Sequence, residues 1–371
     1  MHNLHTNINQ DFTYIHNIIR ELQQSNLPLI MLGGGDRGYT AWRFLSQHSI
    51  TPVSIAINRK YWHADARLPH TDIALSVFED EIQRYEHCNV VTGFSFTQIP
   101  QSTLQLYPQI TNSYYINVGV YDNYLYTQPF LESNYASLNW LYGRVADQES
   151  RNVLVAHLNG RIAGKHVDYP LAPRSKAQYF LEDIMEWHDK EVLVDAGAYD
   201  GDTVVELLSK MPDSVEHTSV YCFEPDDINI LKIKKNSFIT NHPNNQLQII
   251  PLGVWNERKT LKFSNVGGEQ GNISDTGNIS INVDSIDNVF ATISERITII
   301  KMDIEGSELP ALMGAAHRIQ TDKPLLAICV YHKLDDLIAI PQLIHSLVPE
   351  YRFYLRPHIS TPTELVLFCK L

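Results

Sequence analysis

The chain has 371 residues, of which 44% are hydrophobic and 19% charged, the composition of an ordinary globular protein. Its length predicts two domains of about 150–200 residues each. The formal net charge of −13 excludes a general nucleic-acid binder, which needs clustered Lys and Arg against phosphates. The four cysteines share no close spacing, so neither a zinc knuckle nor a disulfide framework is expected.

Targeting and membrane signals are missing from the sequence. The first residues, MHNLHTNINQDF, lack the basic and apolar segments of a secretory signal. No apolar run approaches the about 20 residues that a membrane-spanning helix needs. We therefore expect a cytoplasmic protein that binds neither membrane nor nucleic acid.

The first half of the chain alternates helical and extended patterns. Residues 11–24 place apolar side chains at helical spacing and predict a leading amphipathic helix. Short apolar runs predict strands, at residues 27–32, 52–57, 89–94 and 114–118. Pro170 and Pro173 mark a candidate linker. The expected domains are residues 1–170 and 171–371, the first a small α/β domain.

The second half alternates more regularly. Strands are expected at residues 192–194, 219–223, 247–252, 297–302 and 325–330, and helices at 203–208, 228–238 and 308–319. This alternation predicts a parallel, doubly wound sheet, which residues 351–355 and 364–369 close with one antiparallel edge. Residues 264–280 form a long loop rich in Gly, Asn and Ser, a type that is usually functional or mobile. The fold class is α/β: a doubly wound Rossmann-like domain preceded by a smaller α/β domain.

A glycine turn follows the first strand of the second domain. The turn reads Asp195-Ala-Gly-Ala-Tyr-Asp-Gly201, and its glycines allow a tight bend and close approach of a ligand. Ligands of doubly wound sheets bind beyond the carboxyl ends of the strands. The next strand ends at Glu224, whose carboxylate can accept both hydroxyls of a ribose. The pattern predicts a nucleoside-bearing cofactor.

The charge of this turn separates two cofactors. NAD would place its pyrophosphate at the helix N-terminus, where Asp200 and Asp202 would repel it. S-adenosylmethionine (SAM) brings a sulfonium and an ammonium, which tolerate acidic neighbours. The alternative is a helix N-terminus with acidic caps and no ligand, since acidic residues favour that position. With Glu224 on the next strand, SAM is the favoured interpretation.

Four blocks of the second domain carry a resemblance to a known family. They are EVLVDAGAYDGDT at 191–203, YCFEPD at 221–226, IIKMDIEGSELPALMGA at 299–315 and KPLLAICVYHKLDDLIAIP at 323–341. Over residues 171–371 the sequence resembles the FkbM family of SAM-dependent methyltransferases. The resemblance implies a Rossmann-like methyltransferase fold and O-methylation of a sugar or other natural-product hydroxyl, with a small molecule or glycan as acceptor.

The turn and the resemblance together give a set of cofactor residues. Asp195, Gly197, Gly201 and Glu224 fall on the cofactor positions of the family pattern. The full predicted set is Asp195, Gly197, Ala198, Tyr199, Asp200, Gly201, Thr203, Glu224 and Pro225.

The candidate catalytic residues are His332 and Asp303. Both follow strands whose carboxyl ends share the edge that carries Asp195. His332 is the preferred general base because imidazole titrates near neutral pH, and Asp303 would orient it or contact the cofactor. The structural alternatives are a solvated His332, and an Asp303 that caps the helix near Ser307 with Glu308 pairing back to the backbone.

A metal is the open question at this end of the site. The position of Asp303 resembles the acidic ligand of magnesium-dependent O-methyltransferases. Mg²⁺ prefers several hard oxygen ligands, and an imidazole suits it poorly. No catalytic metal is therefore expected, with Mg²⁺ as the alternative.

A second glycine turn lies in the first domain. Gly33-Gly-Gly35-Asp-Arg-Gly38 has G-x-G-x-x-G spacing between a predicted strand and helix, and Arg37 would favour a phosphate. The next strand ends at Asn58, where NAD would need an acidic residue. The alternatives are a nucleotide-sugar pocket beside an inactive methyltransferase half, an NAD-dependent oxidoreductase, or a scaffold that recognises the acceptor.

Overall fold

The computed structural model describes residues 4–8, 11–92, 101–116, 118, 125–164, 178–242, 245–264, 272–273, 277, 279–358 and 364–371. The chain forms two compact units. The first comprises Met1–Asn139, Asn152–Pro170 and Ile359–Thr363, and the second comprises Trp140–Arg151, Leu171–His358 and Glu364–Leu371. The predicted linker around residue 170 lies outside the described residues.

Five parallel strands form the sheet of the first unit. They are β1 (Leu29–Leu32), β2 (Ser54–Ile57), β3 (Ser76–Val77), β4 (Cys88–Thr92) and β5 (Ile110–Tyr115). Their order is β3-β2-β1-β4-β5, so the chain reverses direction across the sheet at β1. The α-helices up to residue 163 are α1 (Thr13–Gln24), α2 (Asp36–Gln47), α3 (Phe78–Glu81), α4 (Gln101–Leu104), α5 (Gln128–Arg144) and α6 (Gln148–Ala163). Short 3-10 helices lie at Leu4–Thr6, Arg59–Tyr61 and Ile82–Arg84.

Helix α1 packs through a single apolar face. Its buried side chains are Ile15, Ile18, Ile19 and Leu22, which follow the 3.6-residue period of an amphipathic helix. They join one core cluster with Met31 of β1. The predicted leading helix is confirmed, and the predicted strands at 27–32 and 52–57 correspond to β1 and β2.

A seven-stranded sheet and a four-stranded sheet form the second unit. The strands are β6 (Lys190–Ala196), β7 (His217–Phe223), β8 (Asn245–Ile250), β9 (Gly253–Val254), β10 (Lys259–Ser264), β11 (Asn272–Ile273), β12 (Ile279–Asp284), β13 (Ile299–Met302), β14 (Leu325–Cys329), β15 (Arg352–Pro357) and β16 (Leu365–Lys370). The helices are α7 (Asp202–Lys210), α8 (Asp227–Lys235), α9 (Ser237–Thr240), α10 (Ile286–Val289), α11 (Glu308–Met313), α12 (Ala316–Asp322), α13 (Asp336–Leu347) and a 3-10 helix, Phe290–Thr292.

The large sheet has the order β15-β16-β14-β13-β6-β7-β8. Strands β14, β13, β6, β7 and β8 pair in parallel, and β16 pairs antiparallel with both β14 and β15. The predicted doubly wound α/β fold with a closing hairpin is therefore confirmed. The parallel strands bring the chain ends after β6, β7, β13 and β14 to one edge of the sheet.

The four-stranded sheet, in the order β11-β10-β12-β9, was not predicted. Its core is small and contains Phe263, Ile281 and Val283. The alternating burial along β12 is typical of a half-buried strand. Parts of the predicted loop at 264–280 belong to this sheet, and apart from Gly277 the rest of that loop lies outside the described residues.

One predicted helix is divided. The expected helix over 308–319 consists of α11 and α12, which are separated at Gly314. A side chain at Gly314 would place its Cβ 2.1 Å from the carbonyl oxygen of Trp255, so only glycine fits this bend. No described helix is long and apolar enough to cross a membrane.

Arg356 holds residues 140–151 within the second unit. Its guanidinium is buried, and Nη2 donates to Asp147 Oδ2 at 2.6 Å and to Asp183 Oδ2 at 2.8 Å. Nη1 donates to Ser150 Oγ at 2.9 Å. These bonds give the buried charge two carboxylate partners and assign Arg356 a structural role.

Candidate functional site

The turn after β6 has an unusual backbone. Gly197, Tyr199 and Gly201 all have positive φ, at 78°, 47° and 90°. Positive φ is uncommon for a residue with a side chain, and such strained residues concentrate at functional sites. A Cβ on Gly197 would lie 2.1 Å from the carbonyl oxygen of Asp303, so the glycine lets two strand-end loops touch.

Gly201 has a packing role. A Cβ there would meet Ile239 Cδ1 at 2.5 Å, and Gly201 precedes α7 without lining the pocket described below. The acidic residues of the turn accept hydrogen bonds from backbone amides at the start of α7. Asp200 Oδ1 accepts from the Asp202 amide at 3.2 Å, and Asp202 Oδ1 accepts from the Thr203 amide at 2.7 Å.

Asp195 is fully buried beneath the turn. Its Oδ1 lies 3.1 Å from Nζ of Lys301, whose side chain is also buried. Lys301 Nζ donates to the Gly197 carbonyl at 2.8 Å. Burial raises the pKa of Asp195 to about 6, although Lys301 opposes this shift. The buried pair therefore fixes β6 and its turn against β13.

Glu224, at the end of β7, faces the same turn. Its Oε2 accepts from the Tyr199 amide at 2.9 Å, and its Oε1 accepts from the Asp226 amide at 3.0 Å. Burial raises the pKa of Glu224, and these two amide bonds oppose the rise. A carboxylate oxygen can accept more than one hydrogen bond, so the oriented Glu224 retains acceptor capacity for a ligand.

A pocket opens at this edge of the large sheet. It contains about 610 Å³ of free space, a figure that includes its open mouth. One part of its lining is polar, formed by Tyr199, Glu224, Asp226, Asn229, Asp303, Glu305 and Ser307. The other part is apolar, formed by Phe223, Pro225, Val254, Phe263, Ile273, Ile281 and Ile304. Among the described residues that line it are four carboxylates and no Lys, Arg or His.

Asp303 lies in the pocket wall after β13 and keeps 24% of its side chain exposed. Tyr179 donates to Oδ2 at 2.8 Å, and Tyr331 donates to Oδ1 at 3.4 Å. Burial would raise the pKa of Asp303, but His332 and then Lys301 and Tyr179 hold it below its usual value. Asp303 is therefore an ionised hydrogen-bond acceptor and a weak base.

His332 lies behind Asp303, with 1% of its side chain exposed. Its Nε2 is 3.3 Å from Asp303 Oδ1 and 3.8 Å from Glu305 Oε2, and its Nδ1 is 2.9 Å from Glu308 Oε1. Burial lowers the pKa of His332, but Glu308, Asp303 and Glu305 raise it well above its usual value. A ring that carries protons on both nitrogens cannot accept another, so these surroundings argue against His332 as general base.

The structure supports only part of the structural alternatives, in which Asp303 and Glu308 cap α11 and His332 is solvated. Ile304 N–H donates to Glu308 Oε1 at 2.9 Å, so Glu308 does pair back to the backbone at the start of α11. Asp303 instead bonds Tyr179 and Tyr331. His332 is buried and not a solvated residue after the strand.

The predicted residues divide between those that line the pocket and those that do not. On the surface are Gly197, Tyr199, Glu224, Pro225 and Asp303. Outside the lining are Asp195, Ala198, Asp200, Gly201, Thr203 and His332. The expectation that His332 and Asp303 meet at one sheet edge is met by their 3.3 Å contact.

Sequence reasoning did not identify Lys301 and Tyr179. Lys301 carried a usable signal, because a lysine within the apolar strand Ile299–Met302 needs a buried partner of opposite charge. Tyr179 had no such signal, since it follows a long segment without a strand or helix pattern. The first unit's glycine turn lies between β1 and α2, in the context that its motif requires, and its ligand stays a prediction.

Comparisons with known proteins concern the family and the fold of the chain. The sequence model of the methyltransferase FkbM domain matches residues 195–356. A methyltransferase FkbM from Methylobacillus flagellatus has a similar structure, with a TM-score of 0.73 and 21% identity over 95% of this chain and 93% of that one. At this identity the likeness shows the fold. No curated protein sequence matches the chain.

Other solved structures resemble only part of the chain. An rRNA methylase from Streptococcus thermophilus is 19% identical over 49% of this chain and 88% of that one, with a TM-score of 0.31. A precorrin-6y C5,15-methyltransferase from Geobacter metallireducens is 10% identical over 48% and 79%, with a TM-score of 0.29. Neither score carries an argument about function. The match to the methyltransferase FkbM domain, over residues 195–356, lies within the second unit.

Proposed function

We propose that this domain transfers the methyl group of SAM to a hydroxyl oxygen of a small-molecule or glycan acceptor. The observation that carries the proposal is the charge of the pocket. Four carboxylates and no described cation line a cavity at the carboxyl ends of β6, β7 and β13. Such a lining suits a ligand with a sulfonium and an ammonium, and it repels a pyrophosphate.

The pocket offers a complementary surface for each part of the cofactor. Glu224 is oriented by two backbone amides and would accept the ribose hydroxyls. Val254, Phe263 and Ile281 give an apolar wall for an adenine ring. When bound, SAM supplies an electrophilic methyl group on a positively charged sulfur.

Asp303 would act on the acceptor. Its ionised carboxylate can accept a hydrogen bond from a hydroxyl, orient the oxygen lone pair, and take up the hydroxyl proton, which becomes strongly acidic as the oxygen is methylated. Tyr179 and His332 hold this carboxylate through the contacts at 2.8 and 3.3 Å. His332 is thus a positioning residue, and the support for a hydroxyl acceptor comes from the oxygen-rich wall of Asp303, Glu305 and Ser307.

Calorimetry with two cofactors tests the ligand class. SAM titrated into the full chain should bind with one site, and NAD⁺ under the same conditions should give no heat of binding. Binding of NAD⁺ without binding of SAM would contradict the inference from the charge of the pocket. Methyl-labelled SAM incubated with a panel of sugars and glycosides tests the acceptor class, since an ether product is expected and label in an ester or amine would contradict it.

A further inference from the structure

His332 lies at the centre of a group of carboxylates that exceeds the nearby positive charge. Asp303, Glu305 and Glu308 contact its two ring nitrogens, and a carboxylate oxygen of Asp336 lies within 4.8 Å of the ring. Of the described cations, Lys301 is paired with Asp195 and the side chain of Lys333 is exposed. Ionised groups in a low-dielectric interior need compensation by opposite charge.

Glu308 gives an independent sign of this imbalance. The residue has no exposed surface, and Oε1 is used by the Ile304 amide and by His332 Nδ1. Oε2 is buried and accepts no hydrogen bond from any described residue. A buried carboxylate oxygen that lacks a hydrogen-bond partner is rare in folded proteins, so the charge of Glu308 is balanced only by the Ile304 amide and by His332.

We propose that Asp303, Glu305 and His332 form a binding site for one divalent transition-metal cation at the wall of the pocket. The three residues each offer a ligand atom, and these atoms lie within 4.8 Å of one another. His332 Nε2 is 3.3 Å from Asp303 Oδ1 and 3.8 Å from Glu305 Oε2. Bonds of about 2.0–2.2 Å to such a cation place adjacent ligand atoms about 3–3.5 Å apart.

Neighbouring side chains orient the proposed ligands, as they do in known metal sites. Nδ1 of His332 is 2.9 Å from Glu308 Oε1, the carboxylate–histidine–metal relay that fixes the tautomer, and the cation would replace the proton on Nε2. Tyr179 orients Asp303 from the far side. Asp303 and Glu305 line the pocket and therefore provide an entry path.

The ligand set selects the class of cation. Two carboxylates and one imidazole suit Mn²⁺, Fe²⁺, Co²⁺ or Zn²⁺ better than Mg²⁺, which favours oxygen ligands alone. Three protein ligands leave coordination positions free on the pocket side. A consequence that rests on the proposed function is that an acceptor oxygen would occupy one of them.

Cobalt spectroscopy tests the site without reference to activity. The full chain, stripped with EDTA, is titrated with CoCl₂ and followed by its visible d–d absorption. One equivalent per chain should saturate the signal. Glu305→Gln should weaken binding at least ten-fold, roughly the size reported for lost metal-site contacts. Glu257→Gln, an exposed acid elsewhere in the unit, should bind as the wild type does.

Two outcomes would overturn the proposal. One is the absence of a saturable signal in the wild type, and the other is loss of binding in Asp336→Asn with retention in Glu305→Gln. The latter would place a cation in the closed group of Glu308, His332 and Asp336. SAM titrated into the stripped chain separates this proposal from the proposed function: cobalt binding without SAM binding would contradict only the methyl donor.

Discussion

The two glycine turns of the chain occupy equivalent places and are built differently. Each follows the first strand of the largest sheet of its unit and precedes a helix. In the first turn, Gly38 packs on its own turn, since a Cβ would lie 2.3 Å from the Gly33 carbonyl oxygen. In the second, Gly197 packs against the carbonyl of Asp303, a residue of a different strand end. The second turn therefore brings the chain segments that follow β6 and β13 into contact.

Charge distinguishes the two turns as well. Asp36 and Arg37 begin α2 after the first turn. The second turn covers the buried pair of Asp195 and Lys301, whose lysine also bonds the Gly197 carbonyl. A glycine motif alone thus does not define a ligand. The ion pair and the strand-end loop that the turn touches determine what the pocket can bind.

The largest expected effect comes from removing the lysine of that pair. Lys301→Met leaves the Asp195 carboxylate buried and unpaired, which should lower the free energy of unfolding by about 3–5 kcal/mol. Urea denaturation of the variant measures this. Lys301→Met combined with Asp195→Asn should recover part of the loss, and a double variant no more stable than the single one would contradict the pairing.

The contact between Gly197 and the Asp303 carbonyl predicts the second-largest loss of stability. Gly197→Ala adds a Cβ at positive φ against the Asp303 carbonyl and should lower the free energy of unfolding by about 2–4 kcal/mol. Thermal denaturation checks this, and SAM affinity should fall with it. A variant as stable as the wild type would show that the two loops separate without cost.

Substitutions in the first glycine turn should lower the free energy of unfolding by less, and the two glycines should differ. Gly38→Ala meets the Gly33 backbone and should be destabilised by about 1–3 kcal/mol. Gly35→Ala has nothing within 4 Å of its Cβ and should change the free energy of unfolding by less than about 0.5 kcal/mol. Equal losses in the two variants would remove the distinction between packed and open glycines.

Most of the fold can be predicted from the spacing of apolar residues along the sequence. The alternation of apolar runs with helical patterns predicts the large sheet and its closing hairpin, and parallel strands bring Asp303 and His332 to one edge. The small sheet was missed because β9 and β11 have two residues each, and its glycine-rich connections suggest a loop. That sheet supplies Phe263 and Ile281 to the apolar wall of the pocket.

Residue roles were harder to predict than residue positions. Asp195 and Gly201 were expected to contact the cofactor, and the structure places both outside the pocket lining. An interior charge such as Asp195 is explained only by its partner, which lies 106 positions along the chain and meets it through strand pairing. His332 was expected to act as the general base, but three carboxylates around a buried ring favour its protonated form.

The most direct test of the account is a calorimetric titration of SAM into the wild type, Glu224→Gln and Asp200→Asn. Hydrogen bonds to charged groups contribute about 1.5–3 kcal/mol, so Glu224→Gln should bind about ten- to hundred-fold more weakly. Asp200 lies outside the pocket lining, and Asp200→Asn should bind as the wild type does. Equal affinity in the wild type and Glu224→Gln, or no binding by the wild type, would contradict the account.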